Sequence, residues 1–369
     1  MYPLTFMYDR MSSRTNSNQI FFRAVGVMSG TSLDGLDICL CTFNYNLNSW
    51  NYNIVKACTI NYSDELKSRL SSAFTIDGNE LTKLDYDYGK WIGLQVKEFL
   101  KDDAIAPDFI ASHGHTIFHK PNQGYTLQIG KGSAIAAESG LPCICDFRSS
   151  DVCRLGQGAP LVPIGDRLLF SEYDICLNLG GFANLSFEKN SKRIAFDIGP
   201  CNIILNHLAN KKGTSYDKNG EIGKKGATNH FLLNELNSLD FYKMNSPKSL
   251  GREWVEDVFL PIIEKSEIPL EDKFRTVYEH ITDQICNITN GIKVKNILTT
   301  GGGAHNSLLI HLLQNKSNHS IVLPSEQTID FKEALIFAFL GVLYMVKQPG
   351  ALSSVTGANQ DSVSGCLYY

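Results

Sequence analysis

Two stretches of this chain repeat one pattern, a strand, a glycine turn and a returning strand, and that repetition constrains the fold more than any other feature. The first runs from Ile20 through Gly26-Val27-Met28-Ser29-Gly30-Thr31-Ser32-Leu33-Asp34-Gly35-Leu36-Asp37 to Phe43. The second runs from Tyr173 to Leu179, turns at Gly180-Gly181-Phe182-Ala183-Asn184 and returns over Leu185-Ser186-Phe187. Apolar and β-branched residues flanking both turns predict buried strands. A third strand over 193–200 follows the second turn and carries Asp197. One copy in each half predicts an internal duplication, with the two halves facing a shared cleft.

Taken alone, the first turn reads more readily as an ordinary Gly/Ser hairpin loop; the recurrence is what argues for chemistry. Gly30 and Gly35 permit backbone conformations that turn successive amides inward to cradle an anion. Ser29, Thr31 and Ser32 add hydroxyl donors, and Asp34 with Asp37 could hold a cation beside that anion. A third glycine turn comes late in the chain. The strand over 294–300 ends in Gly301-Gly302-Gly303-Ala304-His305-Asn306, and a helix starts at Ser307. A strand, a glycine run and a helix N-terminus make a platform for the flat ring and ribose of a nucleotide. The spacing differs from the Gly-x-Gly-x-x-Gly of dinucleotide-binding folds.

Between the repeats lies the stretch with the most reactive side chains. A strand over 107–112 runs into His113-Gly114-His115, with His119 four residues on. No cysteine or carboxylate in that segment completes a tetrahedral metal site, so the imidazoles read as hydrogen-bonding groups at a strand end. A short buried strand over 141–145 then delivers Asp146-Phe147-Arg148. A carboxylate leaving the C-terminal end of such a strand is where a catalytic base is expected, and Arg148 offers a fork for a carboxylate or phosphate. A structural Asp and Arg ion pair would have the same spacing. The rigid small-residue loop over 156–163 marks the passage between lobes. Residues 211–226, rich in lysine and glycine, read as a mobile surface loop, and Glu333 begins an apolar helix over 334–346. Glu333 is then either a first-turn residue favoured by the helix dipole or a ligand contact.

Composition excludes several classes of function. A chain of 369 residues with a net charge of −4 and no long lysine or arginine run is not a general nucleic-acid binder. Cysteine pairs such as Cys39 with Cys41 and Cys143 with Cys145 sit in apolar strands rather than in Cys-x-x-Cys metal spacing, and ten thiols of this kind suit a reducing, cytoplasmic compartment. The first nineteen residues lack a signal-peptide core and read as a flexible extension, and the apolar helix over 334–346 is too short to span a membrane.

The blocks GVMSGTSLDGLD, SHGHTIFHKP, LQIGKGSAIAAESG, CDFRSSDV, GQGAPLVPIGD, LNLGGFANLSF, FDIGPCN, TTGGGAHN, FKEALIFAFLG and SVTGA occur in order from about residue 23 to 366. Together they resemble the anhydro-N-acetylmuramic acid kinase family of the acetate kinase, sugar kinase, Hsp70 and actin superfamily. The resemblance implies an α/β, two-lobed actin-like ATPase fold with duplicated ribonuclease H-like lobes and a central cleft. The corresponding division is an extension over 1–19, an N-terminal lobe over 20–165 and a C-terminal lobe over 166–369.

The resemblance also implies an ATP- and Mg²⁺-dependent enzyme of peptidoglycan recycling, working as a homodimer. It would open the 1,6-anhydro ring of anhydro-N-acetylmuramic acid with water while phosphorylating O6. Asp146 matches the catalytic base. Gly30, Thr31, Ser32, Leu33, Asp34 and Gly35 match the β- and γ-phosphate grip, Gly180, Gly181 and Asn184 its second side, and Gly301, Gly302 and Gly303 the adenosine site. Arg148, Glu333, His113 and His115 stand as sugar contacts, with Asp197 and Asp34 as metal candidates. Three positions depart from the pattern: Met28 replaces an aspartate common in the superfamily, and Leu155 and Cys201 replace glycines. With Met28 in that place the metal must be held by another group, whereas neither Leu155 nor Cys201 removes a reacting group. A non-catalytic nucleotide or muropeptide sensor on the same scaffold, or a kinase of another amino sugar, are the alternatives.

Overall fold

The computed structural model describes residues 20–30, 33–245 and 248–369. The expected extension over 1–19 and the hydroxyl residues Thr31 and Ser32 lie outside the described residues. The chain divides into two compact units, the first formed by the chain up to Leu169 together with Phe331–Tyr369, the second by Phe170–Asp330.

The first unit is built on a sheet whose strands are β1 (Ile20–Ser29), β2 (Leu36–Asn46), β3 (Ser49–Ile60), β4 (Phe109–Ser112), β7 (Cys143–Cys145) and β13 (Cys366–Tyr368), in the order β13-β7-β4-β1-β2-β3. A separate ribbon pairs β5 (His115–Lys120) with β6 (Tyr125–Ile129). The second unit carries β8 (Ile175–Leu179), β9 (Phe182–Lys189), β10 (Lys192–Pro200), β11 (Asn296–Thr300) and β12 (Ser320–Val322), in the order β10-β9-β8-β11-β12. Numbering the strands within each sheet as the chain meets them, both sheets run third, second, first, fourth, fifth, and β13 adds a sixth beyond the fifth in the first sheet. The first three are antiparallel neighbours, while the fourth is parallel to the first and the fifth to the fourth. The α/β class and the duplication expected from the two glycine turns are therefore present at the level of topology.

Strand alternation decides what each face of the first sheet buries. Val25, Val27, Ile38 and Ile110 face helices Gly78–Phe99 and Gly132–Ser139, packing with Tyr88, Ile92, Val96 and Ile135. Asp77 caps the longer helix by accepting from the amides of Asn79 and Glu80. On the opposite side lies helix Glu326–Met345, with Phe339 against Phe43 and Trp50. Glycines make that approach close: a Cβ on Gly26 would lie 1.8 Å from the carbonyl oxygen of Ala334, and one on Gly341 would lie 2.5 Å from the ring of Phe109. In the second unit, helices Asn202–Asn210, Leu270–Thr289 and Ser307–Lys316 supply Ile204, Leu208, Phe274, Ile281, Leu309 and Leu313 to a core shared with Leu177 and Ile297.

The expected single division near residue 165, with one lobe running to residue 369, differs from the structure. Gly165 packs on Ile336, Lys332 pairs with Asp166, and β13 adds to the first sheet by pairing with β7, so the C-terminal segment belongs with the first unit. Sequence proximity suggested otherwise because a returning segment leaves no local signal. The stretch over 211–226 is also not a mobile loop. Asp217 accepts from the amides of Ile222 and Gly223 and from the Tyr278 hydroxyl, and Gly223 lies flat against the Tyr278 ring.

Because Gly26 leaves no room for a side chain beneath helix Glu326–Met345, Gly26→Ala is expected to destabilise the protein by about 3 kcal/mol. Urea unfolding measures this, and a loss below about 1 kcal/mol would show that the helix is free to move.

Candidate active site

Parallel pairing gathers the candidate residues of the first unit. Val27 of β1 pairs with Ser112 of β4, and Ala111 of β4 with Ile144 of β7, so all three strands end on one edge of the sheet. There they present Ser29, which closes β1, and the residues that follow the strands, Gly30, His113 and Asp146. With neighbouring strands about 4.8 Å apart, the end of β1 and Asp146 are about 10 Å apart across the sheet. In open α/β sheets this C-terminal edge is where ligands bind.

Asp146 leaves β7 with φ 61°, in the left-handed region. Aspartate tolerates that region better than most residues, at a cost of about 1 to 3 kcal/mol. Its side chain is exposed, and Oδ1 accepts from the Ser149 hydroxyl at 2.5 Å. Arg148 turns inward. Its Nε donates to His113 Nε2 at 3.0 Å and its Nη1 to the Gly158 carbonyl at 2.7 Å. Burial lowers the guanidinium to about 10, and nearby Glu333 opposes the shift. Asp146 and Arg148 thus take separate partners, and the structural ion pair allowed by their spacing is not formed.

Glu333 lies more than a turn inside helix Glu326–Met345, which begins seven residues before the position expected from the apolar run. The polar first turns concealed that start, where the Ser325 hydroxyl caps the amide of Thr328. A dipole role for Glu333 at a helix N-terminus is therefore excluded. The side chain is open to solvent yet crowded by protein, and burial raises its carboxyl above the usual range, with Arg148 lowering and Asp37 raising it further.

The first hairpin presents Gly30, with the amide of Leu33 donating to the Gly30 carbonyl. Leu33 itself has φ 58° and packs its side chain on the core, so only its backbone is available to a ligand. Asp34 is exposed. Gly35 is needed for packing, since a Cβ would sit 2.8 Å from the Ile60 carbonyl. Ser29 is buried and joins a chain of hydroxyls: Tyr62 donates to Ser29 at 2.7 Å, Tyr88 meets Tyr62 at 2.9 Å, and Ser29 meets His115 Nδ1 at 2.8 Å. Burial lowers His115 to about 4, so the ring is neutral.

Two expected sugar contacts thus differ in standing. His115 makes no hydrogen bond through Nε2 among the described residues, whereas His113 is buried and spends its Nε2 on Arg148. The left-handed Gly114 between them turns the two rings toward different partners. Among the described residues, no group of three His, Cys, Asp or Glu side chains is arranged for a metal ion.

In the second unit, the register of β8 and β11 sets Thr300 beside Asn178, which brings the Gly180-Gly181 turn next to the Gly301–Gly303 run. The approach is tight. A Cβ on Gly301 would lie 2.5 Å from Asn178 Oδ1, and one on Gly303 would lie 2.7 Å from the Leu179 side chain. The amides of Cys201 and Ile203 donate to the Gly181 carbonyl, and that of Asn202 to Gly180, which seats helix Asn202–Asn210 on the turn. Asn178, Asn184 and Asp197 form one row across β8, β9 and β10. Burial raises the Asp197 carboxyl, which the Leu250 amide, donating at 2.9 Å, offsets only in part.

Several residues of the site escaped sequence reasoning. Asn178 carried a signal, lying two residues before the glycine pair. Asp151 is fully buried and accepts from the Thr356 hydroxyl at 2.8 Å and from the Gly158 amide at 2.8 Å, so it builds the loop that holds Arg148. Lys332 and Asp166 form a buried pair at 2.7 Å beside Glu333. Distances in sequence of 205 and 166 residues, respectively, hid both partnerships. Leu155 has φ 66°, which explains why glycine suits that position.

The profile described as Anhydro-N-acetylmuramic acid kinase matches residues 22–369. A Haemophilus influenzae protein named anhydro-N-acetylmuramic acid kinase is 34% identical over 93% of this chain and 97% of its own length. One of the same name from Bacillus thuringiensis subsp. konkukian is 32% identical over 94% and 98%. Among solved structures the chain is similar to Plasmodium falciparum glycerol kinase with ADP, at 10% identity over 94% of each chain, with a TM-score of 0.44.

The buried His115 generates a pH prediction. Unfolded, it binds a proton near pH 6.5; folded, it does so only near pH 4. Unfolding therefore takes up its proton between those values, and stability falls as pH falls through that window. Compared with the wild type, His115→Gln is expected to lose stability less steeply with acid, the difference approaching one proton near pH 5. Equal slopes in urea titrations at several pH values would contradict the assignment.

Proposed function

Because the chain belongs to the anhydro-N-acetylmuramic acid kinase family, we propose that it uses ATP and water to open 1,6-anhydro-N-acetylmuramic acid and phosphorylate O6, giving N-acetylmuramic acid 6-phosphate in peptidoglycan recycling. The observation that carries the assignment of roles is Asp146, exposed at the C-terminal edge of the first sheet, with one carboxylate oxygen held by Ser149. Ser149 fixes the orientation and leaves Oδ2 to take a proton. In the proposed step that proton comes from a water attacking the anomeric carbon. The bond from that carbon to O6 breaks, and O6 receives the γ-phosphoryl group as ADP leaves.

Arg148 and Glu333 are the sugar contacts of this reading, with His115 as a third through Nε2. Gly30, Thr31, Ser32, Leu33, Asp34 and Gly35 take the β- and γ-phosphates, as do Gly180, Gly181 and Asn184, while Gly301, Gly302 and Gly303 take the adenosine. Backbone amides at such glycine turns bind phosphate without a side-chain cation. Asp197 fits Mg²⁺ because its half-buried carboxyl is raised by burial and, among the described residues, has no paired cation; exposed Asp34 is the second candidate. When bound, the metal would neutralise charge on the phosphates. Mg²⁺ needs only one or two carboxylates, since waters and phosphate complete its shell. No helix among the described residues is long and apolar enough to cross a membrane. A cytoplasmic location, in keeping with the free thiols of the described cysteines, and a homodimer complete the proposal.

Transfer of labelled phosphate from ATP to the anhydro sugar tests the reading, with the phosphate position assigned by NMR and the reducing sugar as comparison. Asp146→Asn is expected to lower turnover by about 10² to 10⁴ with the KM for ATP little changed. Undiminished turnover in that variant would remove Asp146 from the role of base.

A further inference from the structure

We propose that His113 is a positioning residue: its neutral ring, protonated on Nδ1, offers Nε2 as the acceptor that fixes the Arg148 guanidinium and so aims the free donors of that arginine at the sugar. This rests on the reading of Arg148 as a sugar contact.

The chemistry of the pair dictates the tautomer. Arg148 Nε lies 3.0 Å from His113 Nε2. A guanidinium carries five N–H donors and accepts nothing, so Nε2 must present its lone pair. In a neutral imidazole the proton is then on Nδ1. An imidazolium would set N–H against N–H and expel the arginine. Burial, and the Arg148 charge after it, hold the ring well below its usual range, which keeps it in the accepting form.

What the imidazole supplies is not packing. The ring is buried and lies against Phe337, with 4.7 Å between ring centroids. Its Nδ1 is buried and makes no close hydrogen bond among the described residues, but the backbone of Gly114 and Ser29 lies near enough to favour a proton there. The acceptor at Nε2, which faces Arg148, is what a phenylalanine could not provide.

The two bonds lock the plane of the guanidinium. His113 takes Nε–H, and the Gly158 carbonyl takes one Nη1–H at 2.7 Å. Both Nη2 hydrogens and the second Nη1 hydrogen remain, and no hydrogen bond to them is formed among the described residues. Two neutral acceptors hold the group while leaving its charge for a ligand, which a carboxylate in the place of His113 would not do.

His113→Phe keeps a ring and removes the acceptor; His113→Gln returns an amide oxygen near the position of Nε2. The expected result is a KM for the anhydro sugar raised about tenfold or more in His113→Phe, with the KM for ATP within about twofold, and substantial recovery in His113→Gln. Nitrogen-15 NMR of the wild-type protein, with the His113 signals assigned by their loss in His113→Phe, is expected to show a neutral ring protonated on Nδ1. An Nε2-protonated ring or an imidazolium overturns the proposal, whatever the variants do. Arg148→Ala separates the two levels. If it weakens sugar binding and His113→Phe does not, the positioning role alone is wrong. If Arg148→Ala leaves sugar binding unchanged, the reading of Arg148 is wrong and the role of His113 falls with it.

Discussion

Parallel pairing of β1, β4 and β7 is the constraint on which the first unit depends. Strands that run the same way must end on the same edge, so three residues distant in sequence, Ser29, His113 and Asp146, meet without any long loop to carry them. The register is well determined because β4 is buried along its whole length and alternate residues of β1 pack on different layers. A slip of one residue would turn Val25 and Val27 away from their core and send Gly26 to the wrong face. Gly26 in turn admits helix Glu326–Met345, and the seat of that helix decides where Glu333 points. One choice of backbone pairing therefore propagates to the base and to the proposed sugar contacts.

The charges around that edge are arranged to stay available. Arg148 is held by an imidazole nitrogen and a carbonyl rather than by a carboxylate, and at about 10 it remains protonated at neutral pH. Lys332, one residue from Glu333, is compensated separately by Asp166 in the interior. Such a buried pair adds little net stability, but removing one partner would strand a charge, so the pair commits the helix to a single register. Asp151 does comparable work with neutral partners. It joins Thr356, near the C-terminus, to Gly158, and Gly158 to Arg148. The C-terminal segment thereby takes part in holding the arginine.

Strand positions were legible wherever apolar alternation was strong. The expectations over 107–112, 193–200 and 294–300 correspond to Phe109–Ser112, Lys192–Pro200 and Asn296–Thr300. Glycine turns were legible as turns but not as to why each glycine is there; Gly35 serves packing against β3, while Gly301 serves the approach of two strand ends. The polar turns opening helix Glu326–Met345 carried no apolar stripe, so its start was missed. Candidate side chains could be named from the sequence, but not their partners. Nothing local in the chain announces that His113 faces Arg148, that Asp166 pairs with Lys332, or that 331–369 returns to the first unit.

The central claim is that a water between Asp146 and the anomeric carbon is the nucleophile. A crystal structure of the protein with the anhydro sugar and a non-hydrolysable ATP analogue tests it most directly. The account predicts a water within about 2.6 to 3.2 Å of Asp146 Oδ2 and in line with the bond from the anomeric carbon to O6. It also predicts the terminal phosphate of the analogue next to O6. A sugar bound away from the C-terminal edge of β7, or one whose anomeric carbon faces away from Asp146, would contradict it.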